Sequence, residues 1–253
     1  MSEKSVGKIL RLGHILRDDG RTLVVAMDHG MIGITEGIEE ALNVVEKVIE
    51  GGADAILVNL GVARKVAETV KGKIAVVLTI PYDPKYVELA AKLGVDAVKT
   101  TYFGPIPLSE EKYNQFSAIG RACEEWGIPW MAEVVPVDEK GKTIYDLSMV
   151  RKAARIGAEL GGDMVKTAYT GTVEEYRSIV KACPVPIVVM GGPKMENDKD
   201  VLQMVKNSVD AGAVGGAIGR NIWQHRDPAK MAKAISKIIH DNITVEEALK
   251  ILK

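Results

Sequence analysis

Two kinds of hydrophobic pattern alternate along the chain. Short apolar runs rich in β-branched residues, each bounded by Gly, Pro or Asp, predict strands at 22–28, 54–60, 74–80, 96–103, 130–136, 164–170, 187–192 and 216–221. Longer stretches between them carry apolar residues at helical spacing. Ile38, Leu42, Val45 and Ile49 mark one face of a helix over 37–50, and Val150, Ala154 and Ala158 do the same over 147–160. A recurring phrase joins helix to strand: GGADAI from Gly51, LGVDAV from Leu93 and LGGDMV from Leu160. Gly just past a helix end reverses the chain, and the Asp and apolar run that follow open the next strand. The repeating unit is one strand plus one helix.

Eight such units predict a (β/α)8 TIM barrel, read as a single domain over 1–253. An open, doubly wound sheet is the alternative. It usually has fewer strands and a Gly-rich fingerprint after the first. Here the first strand runs into Asp28-His29-Gly30 instead. The leader 5–17 reads as an extra N-terminal helix closing the barrel floor. The tail 244–253 reads as a last helix opened by a capping box of Thr244 and Glu247.

Composition narrows the function classes. Lys+Arg 33 against Asp+Glu 34 leaves a net charge of -1, without the basic excess that nucleic acid or an anionic membrane surface calls for. Hydrophobic residues at 47% and charged residues at 26% describe a folded rather than a disordered chain. No apolar run reaches the length of a membrane span and the charged start has no signal-peptide core, so a cytoplasmic protein without a membrane partner is expected. Cys123 and Cys183 are too few for a disulfide framework and lack metal-ligand spacing. No metal and no cofactor are expected.

Active sites of such barrels lie at the C-terminal ends of the strands. Lys99 and Lys166 sit there inside apolar strands, in matching contexts DAVKTTY and DMVKTAY. A buried ammonium needs a partner or a lowered pKa. At its ordinary pKa a lysine is neutral only about 0.04% of the time at pH 7, and Schiff-base chemistry needs the neutral amine. Two lysines sharing one lumen would lower each other's pKa; the plainer reading is an ion pair with Glu133 or Asp28. The last two strands end in Gly191-Gly192-Pro193-Lys194 and Gly219-Arg220-Asn221, where barrels customarily bind phosphate. Backbone N–H groups, the Arg220 fork and Lys194 suit a phosphorylated substrate. Asp28 and His29 are candidate proton carriers, or else caps of the turn that follows. Glu133, Tyr169 and Tyr102 are further candidate acids or bases. His14, His225 and His240 read as surface or packing residues, and Trp223 as site rim or packing.

The segments MDHG, VKTAYTG, VVMGGPK and IGRNIWQ resemble the archaeal-type class I aldolases of the DeoC/fructose-bisphosphate aldolase superfamily, from about Leu23 to the C-terminus. The resemblance implies a (β/α)8 barrel and a Schiff base between Lys166 and a small phosphorylated ketose, with an aldehyde as the other reactant. It also implies Asp28 as a proton-handling carboxylate, phosphate on Gly191, Gly192, Gly219 and Arg220, and a homo-oligomer. One departure stands out. Relatives of this group carry a Tyr-Pro-Arg-Gly-like segment after the fifth strand, whose tyrosine donates a proton; here the stretch reads EVVPVD, with Val135 in the tyrosine's place. That departure, with the tail from CPVPIVV to HDNITVEEAL, is similar to the autoinducer-2 thiolase branch. That branch implies acyl transfer to coenzyme A from a phosphorylated diketone, and a role for His29. A binding barrel without catalysis is the third reading; it has no need of a reactive Lys166.

Overall fold

The computed structural model describes residues 5–33 and 35–253. Eight parallel strands close into a barrel in sequence order. They are β1 (Thr22–Ala26), β2 (Ala55–Val58), β3 (Ala75–Thr79), β4 (Ala97–Gly104), β5 (Trp130–Pro136), β6 (Met164–Thr167), β7 (Ile187–Met190) and β8 (Gly215–Ile218). Around them run α2 (Ala41–Glu50), α3 (Leu60–Val70), α4 (Lys85–Leu93), α5 (Glu110–Trp126), α6 (Leu147–Glu159), α7 (Val173–Ala182) and α8 (Asp198–Asp210). The ring is completed by α9 (Arg220–Trp223), α10 (Pro228–Asp241) and α11 (Val245–Ile251). The fold is a (β/α)8 TIM barrel preceded by the expected N-terminal helix, α1 (Val6–Ile15).

Local chemistry accounts for the element ends. Ser5 caps α1, and Thr244 with Glu247 forms the anticipated capping box on α11. Gly94 ends α4 in the left-handed conformation, as the helix-to-strand phrase requires. Several predicted strands overrun the observed ones at their C-terminal ends. At 22–28 and 164–170, for instance, pairing stops at Ala26 and Thr167. Residues beyond those points turn off the sheet into the mouth loops, and a run of apolar residues cannot reveal where a ladder stops.

The lumen is packed by small and medium side chains. Val24, Ala26, Ala55, Leu57, Ala75, Val77, Ala97, Met131, Met164, Val188 and Ala217 form one buried cluster. Ile15 of α1 belongs to the same cluster, so the leader helix seals the floor. Where β8 closes on β1, Gly215 (φ +150°) lies so close to Thr22 that a Cβ would run into its carbonyl oxygen. Only glycine fits there. Outside the strands, apolar helix faces such as Val44, Val45 and Val48 of α2 complete the core.

Candidate active site

Alternation along the strands decides what reaches the mouth. Above the apolar lumen the inward positions become polar: Asp28 follows β1, Thr79 ends β3, Lys99 and Thr101 lie on β4, Glu133 on β5 and Lys166 on β6. Parallel register places Thr79 beside Lys99, Thr101 beside Glu133, and Glu133 beside Lys166. These neighbours form a row of alternating charge. Lys166 Nζ lies 2.7 Å from Glu133 Oε1, Lys99 Nζ 2.5 Å from Glu133 Oε2, and Lys99 Nζ 2.9 Å from Asp28 Oδ2. Thr79 donates to Asp28 Oδ2 at 2.8 Å, and Thr101 accepts from Lys99 while donating to Glu133 Oε2 at 2.9 Å.

Two carboxylates and two ammoniums make the row neutral. Lys99, 2% exposed, is held between both carboxylates, while Lys166 stands at one end with Glu133 as its ion partner. Burial works against the charge on Glu133, but the ammoniums of Lys166 and Lys99 and their hydrogen bonds overcome it and hold the carboxyl down at about 2. Asp28 is likewise well below the carboxylate range: burial opposes its charge, and Lys99, Lys166 and the Thr79 hydroxyl outweigh burial. Burial disfavours charged Lys99 too, yet Glu133 and Asp28 raise its pKa above the ordinary lysine value. The charge of Lys99 is therefore compensated, and what Lys166 meets directly is a carboxylate rather than a second bare cation.

His29 follows Asp28 in a short 3-10 turn (Asp28–Ile32), and its Nδ1 is 3.9 Å from Asp28 Oδ1. Asp28 does not cap that turn; its carboxylate goes to Lys99 and Thr79. The His29 ring meets Trp223 edge-on at 5.4 Å and lies against Gly219, where a Cβ would come within 2.9 Å of Cε1. Burial lowers the pKa of His29, and Arg220, Lys166 and Lys99 add to that against Asp28, so the imidazole is neutral at pH 7. Its buried Nδ1 has no hydrogen-bond partner among the described residues.

On the far side of His29 the loops after β7 and β8 come together. Arg220 donates to the Gly192 carbonyl at 3.1 Å, and its buried Nε has no hydrogen-bond partner among the described residues. Asn221, fully buried, clamps the loops: its Nδ2 donates to the carbonyls of Gly191 (2.8 Å) and Pro193 (3.0 Å), and its Oδ1 accepts from Met195 N (2.8 Å). Lys194 is exposed on the same loop. Trp223 is buried and donates from its indole to the Ala26 carbonyl at 2.9 Å.

The structure thus brings together Asp28, His29, Lys99, Glu133 and Lys166, and places the Gly191–Gly192 and Gly219–Arg220 loops side by side. It sets two tyrosines apart. Tyr169 turns its ring onto Tyr176 of α7, with its hydroxyl 3.5 Å from the Gly171 carbonyl. Tyr102 packs edge-on against Phe116 of α5 and donates to Pro105 O. Val135 is fully buried. Of the remaining histidines, His14 is exposed beside Asp96, His225 is buried against Asp227 O and Asp198, and His240 is buried between Asp19 and Asp54. No group of three or more metal-ligating side chains occurs among the described residues. None of the described helices is long and apolar enough to cross a membrane. Thr79, Thr101 and Asn221 are partners to which the sequence pattern assigns no role. Thr101 was within reach, since it lies two residues from Lys99 on the same strand face.

A closed barrel with ionisable side chains gathered at the C-terminal mouth of its strands is the architecture of a (β/α)8 enzyme. Residues 22–225 match the DeoC/LacD family aldolase, and the chain belongs to that family. An uncharacterized aldolase of Saccharolobus solfataricus is 32% identical over 98% of this chain and 100% of its own. The 2-amino-3,7-dideoxy-D-threo-hept-6-ulosonate synthase 1 of Archaeoglobus fulgidus is 33% identical over 96% of this chain and 95% of its own. Among solved structures, a Schiff-base-forming fructose-1,6-bisphosphate aldolase superposes with a TM-score of 0.81 at 26% identity, over 92% of this chain and 100% of that one. An archaeal fructose-1,6-bisphosphate aldolase, solved with its catalytic Lys bound to the carbinolamine intermediate of the substrate, gives 0.78 at 26% identity, over 92% and 99%. The chain is a class I aldolase by family.

Proposed function

We propose that the protein makes or breaks a carbon–carbon bond in a small phosphorylated ketose, with Lys166 as the Schiff-base nucleophile. The observation that carries this reading is the place of Lys166: it ends a buried, charge-balanced row at the barrel mouth, 2.7 Å from a carboxylate. Attack on a carbonyl needs the neutral amine. Glu133 Oε1 accepts from the Lys166 ammonium and fixes the direction of its Nζ, while Lys99 and Thr101 hold Glu133 in place. Because this carboxyl is held low, the proton that leaves the amine passes to water. Once the carbinolamine has lost water to give the iminium, removal of the proton from the β-hydroxyl breaks the bond between the α and β carbons, releasing an aldehyde and leaving the electron pair on Lys166 as an enamine.

His29 suits that proton removal better than Asp28. A neutral imidazole with an unpartnered nitrogen can accept a proton at pH 7, whereas a carboxylate held far below its usual range is a weak base. The loops carrying Gly191, Gly192, Gly219 and Arg220, with Lys194 at their edge, would take the phosphate. Binding there would fix the carbonyl carbon over Lys166 and supply remote binding energy to the reacting centre. Acyl transfer from a phosphorylated diketone to coenzyme A is the second reading. It is favoured by one feature, the hydroxyl-free Val135 where relatives place a proton donor.

Borohydride reduction in the presence of dihydroxyacetone phosphate, followed by peptide mass spectrometry, tests the proposal. Covalent capture at Lys166, lost in Lys166→Met and retained in Lys99→Met, is the expected result. Capture at Lys99 would move the nucleophile two charges along the row, past Glu133. Absence of capture despite measurable binding would favour the non-catalytic barrel, and turnover that requires coenzyme A would favour acyl transfer.

A further inference from the structure

We propose that Phe103 selects the second carbonyl reactant of the aldol reaction, and that this reactant presents an apolar group to the Phe103 ring. The inference rests on the Schiff-base reading above. Its basis is a gradient along β4. On the outer face Val98, Thr100 and Tyr102 stay buried beneath α5. On the inner face Ala97 and Lys99 are each 2% exposed, Thr101 is half-buried, and Phe103 is 55% exposed. The hydroxyl of Thr101, bonded to Lys99 and Glu133, marks this inner face as the one that lines the charged row. Phe103 is the next residue on that face, about 7 Å further up the strand, where the packed lumen opens into the mouth.

The order of strands then defines what reaches it. The phosphate loops follow β7 and β8, Lys166 is on β6, Glu133 on β5 and Phe103 on β4. A ketose phosphate held by its phosphate and by its carbonyl carbon on Lys166 extends its remaining carbons toward β5 and β4. The reactant joined to or released from those carbons therefore lies under Phe103. Across the ladder Phe103 is in register with Val135, so neither side chain at this level can hydrogen-bond a hydroxyl. A polyhydroxylated chain would shed water there without gaining a partner from these two side chains, while an alkyl group would cover an exposed aromatic ring.

The test uses the full chain with dihydroxyacetone phosphate as donor and two acceptors of equal carbon number, propanal and glyceraldehyde. The wild type is expected to give the higher kcat/KM with propanal. Phe103→Ser should lower the ratio of the two kcat/KM values, propanal over glyceraldehyde, by about tenfold, the scale of a lost apolar contact. Phe103→Leu should keep the preference, separating the role of the side chain from general damage. Borohydride capture at Lys166, which needs no acceptor, is measured in parallel. Capture together with equal losses for both acceptors, or a preference for glyceraldehyde, would overturn the assignment of Phe103 and leave the Schiff-base reading standing. No capture in any variant would overturn both. If Phe103→Ser lowers the particle mass in light scattering without changing selectivity, a second copy of the chain covers the ring and the proposal fails.

Discussion

Glu133→Gln is the most informative single perturbation of the charged row. The change keeps the shape of the side chain but removes the charge between Lys99 and Lys166, leaving two ammoniums with Asp28 as the remaining carboxylate of the row. Glu133 titrates at about 2 in the fold against an ordinary 4.5, and at about 1.36 kcal/mol per unit this difference corresponds to about 3 kcal/mol. The figure agrees with the roughly 3–5 kcal/mol lost when one partner of a buried ion pair is removed. Because the folded pKa is depressed, the contribution is fully present above the unfolded value of 4.5 and is lost as pH falls through the folded one. Urea unfolding should therefore give a gap of about 3 kcal/mol between wild type and Glu133→Gln at pH 7. The gap should narrow steadily as pH is taken from 5 toward about 2.

Charge counting adds a sharper requirement. Lys99→Met alone leaves the row at -1, Glu133→Gln alone leaves it at +1, and the double variant restores neutrality. The double variant should then be destabilised by less than the sum of the singles, by about 1–3 kcal/mol. Strict additivity, or a gap that does not depend on pH, would refute the idea that the row is held by mutual compensation of charge.

His29→Asn should lower kcat/KM and remove the acid limb of its pH profile. In the wild type that limb lies below the ordinary histidine range, because activity needs neutral imidazole and is lost as pH falls through its lowered pKa. Asn221→Ala should raise KM for a phosphorylated substrate by about tenfold with a smaller change in kcat, since three hydrogen bonds between the loops are lost. Borohydride capture with unphosphorylated dihydroxyacetone should be unaffected by it. His240, buried between Asp19 and Asp54, has its pKa raised because their hydrogen bonds outweigh burial. Its contribution to stability is present below the ordinary value of 6.5 and is lost as pH rises through the raised one, so His240→Gln should lower Tm more at pH 6 than at pH 9.

Much of the architecture is legible in one dimension because its determinants are local. Apolar runs and helical spacing mark the eight units, the phrase from Leu93 to Val98 sets the turn at Gly94, and Thr244 with Glu247 announces the last helix. Each depends on backbone conformation or on neighbours within one turn of helix. The rule that barrels do their chemistry at strand ends then drew attention to Asp28, Lys99, Glu133 and Lys166. What it could not decide was how four charges from β1, β4, β5 and β6 would pair. Pairing follows from the stagger between strands, which shifts one residue's height against its neighbour's. That stagger put Lys99 between two carboxylates and left Lys166 at the end of the row. Alternation along β4 turned Tyr102, three residues from Lys99, toward α5, and Tyr169, beyond the end of β6, packs on Tyr176 of α7. Tertiary packing likewise decided that Asn221 joins two loops distant in the chain, and that Phe103 is left uncovered above the row. Local sequence sets which element a residue joins and where that element bends; which charges meet is set by distances between strands that no local pattern contains.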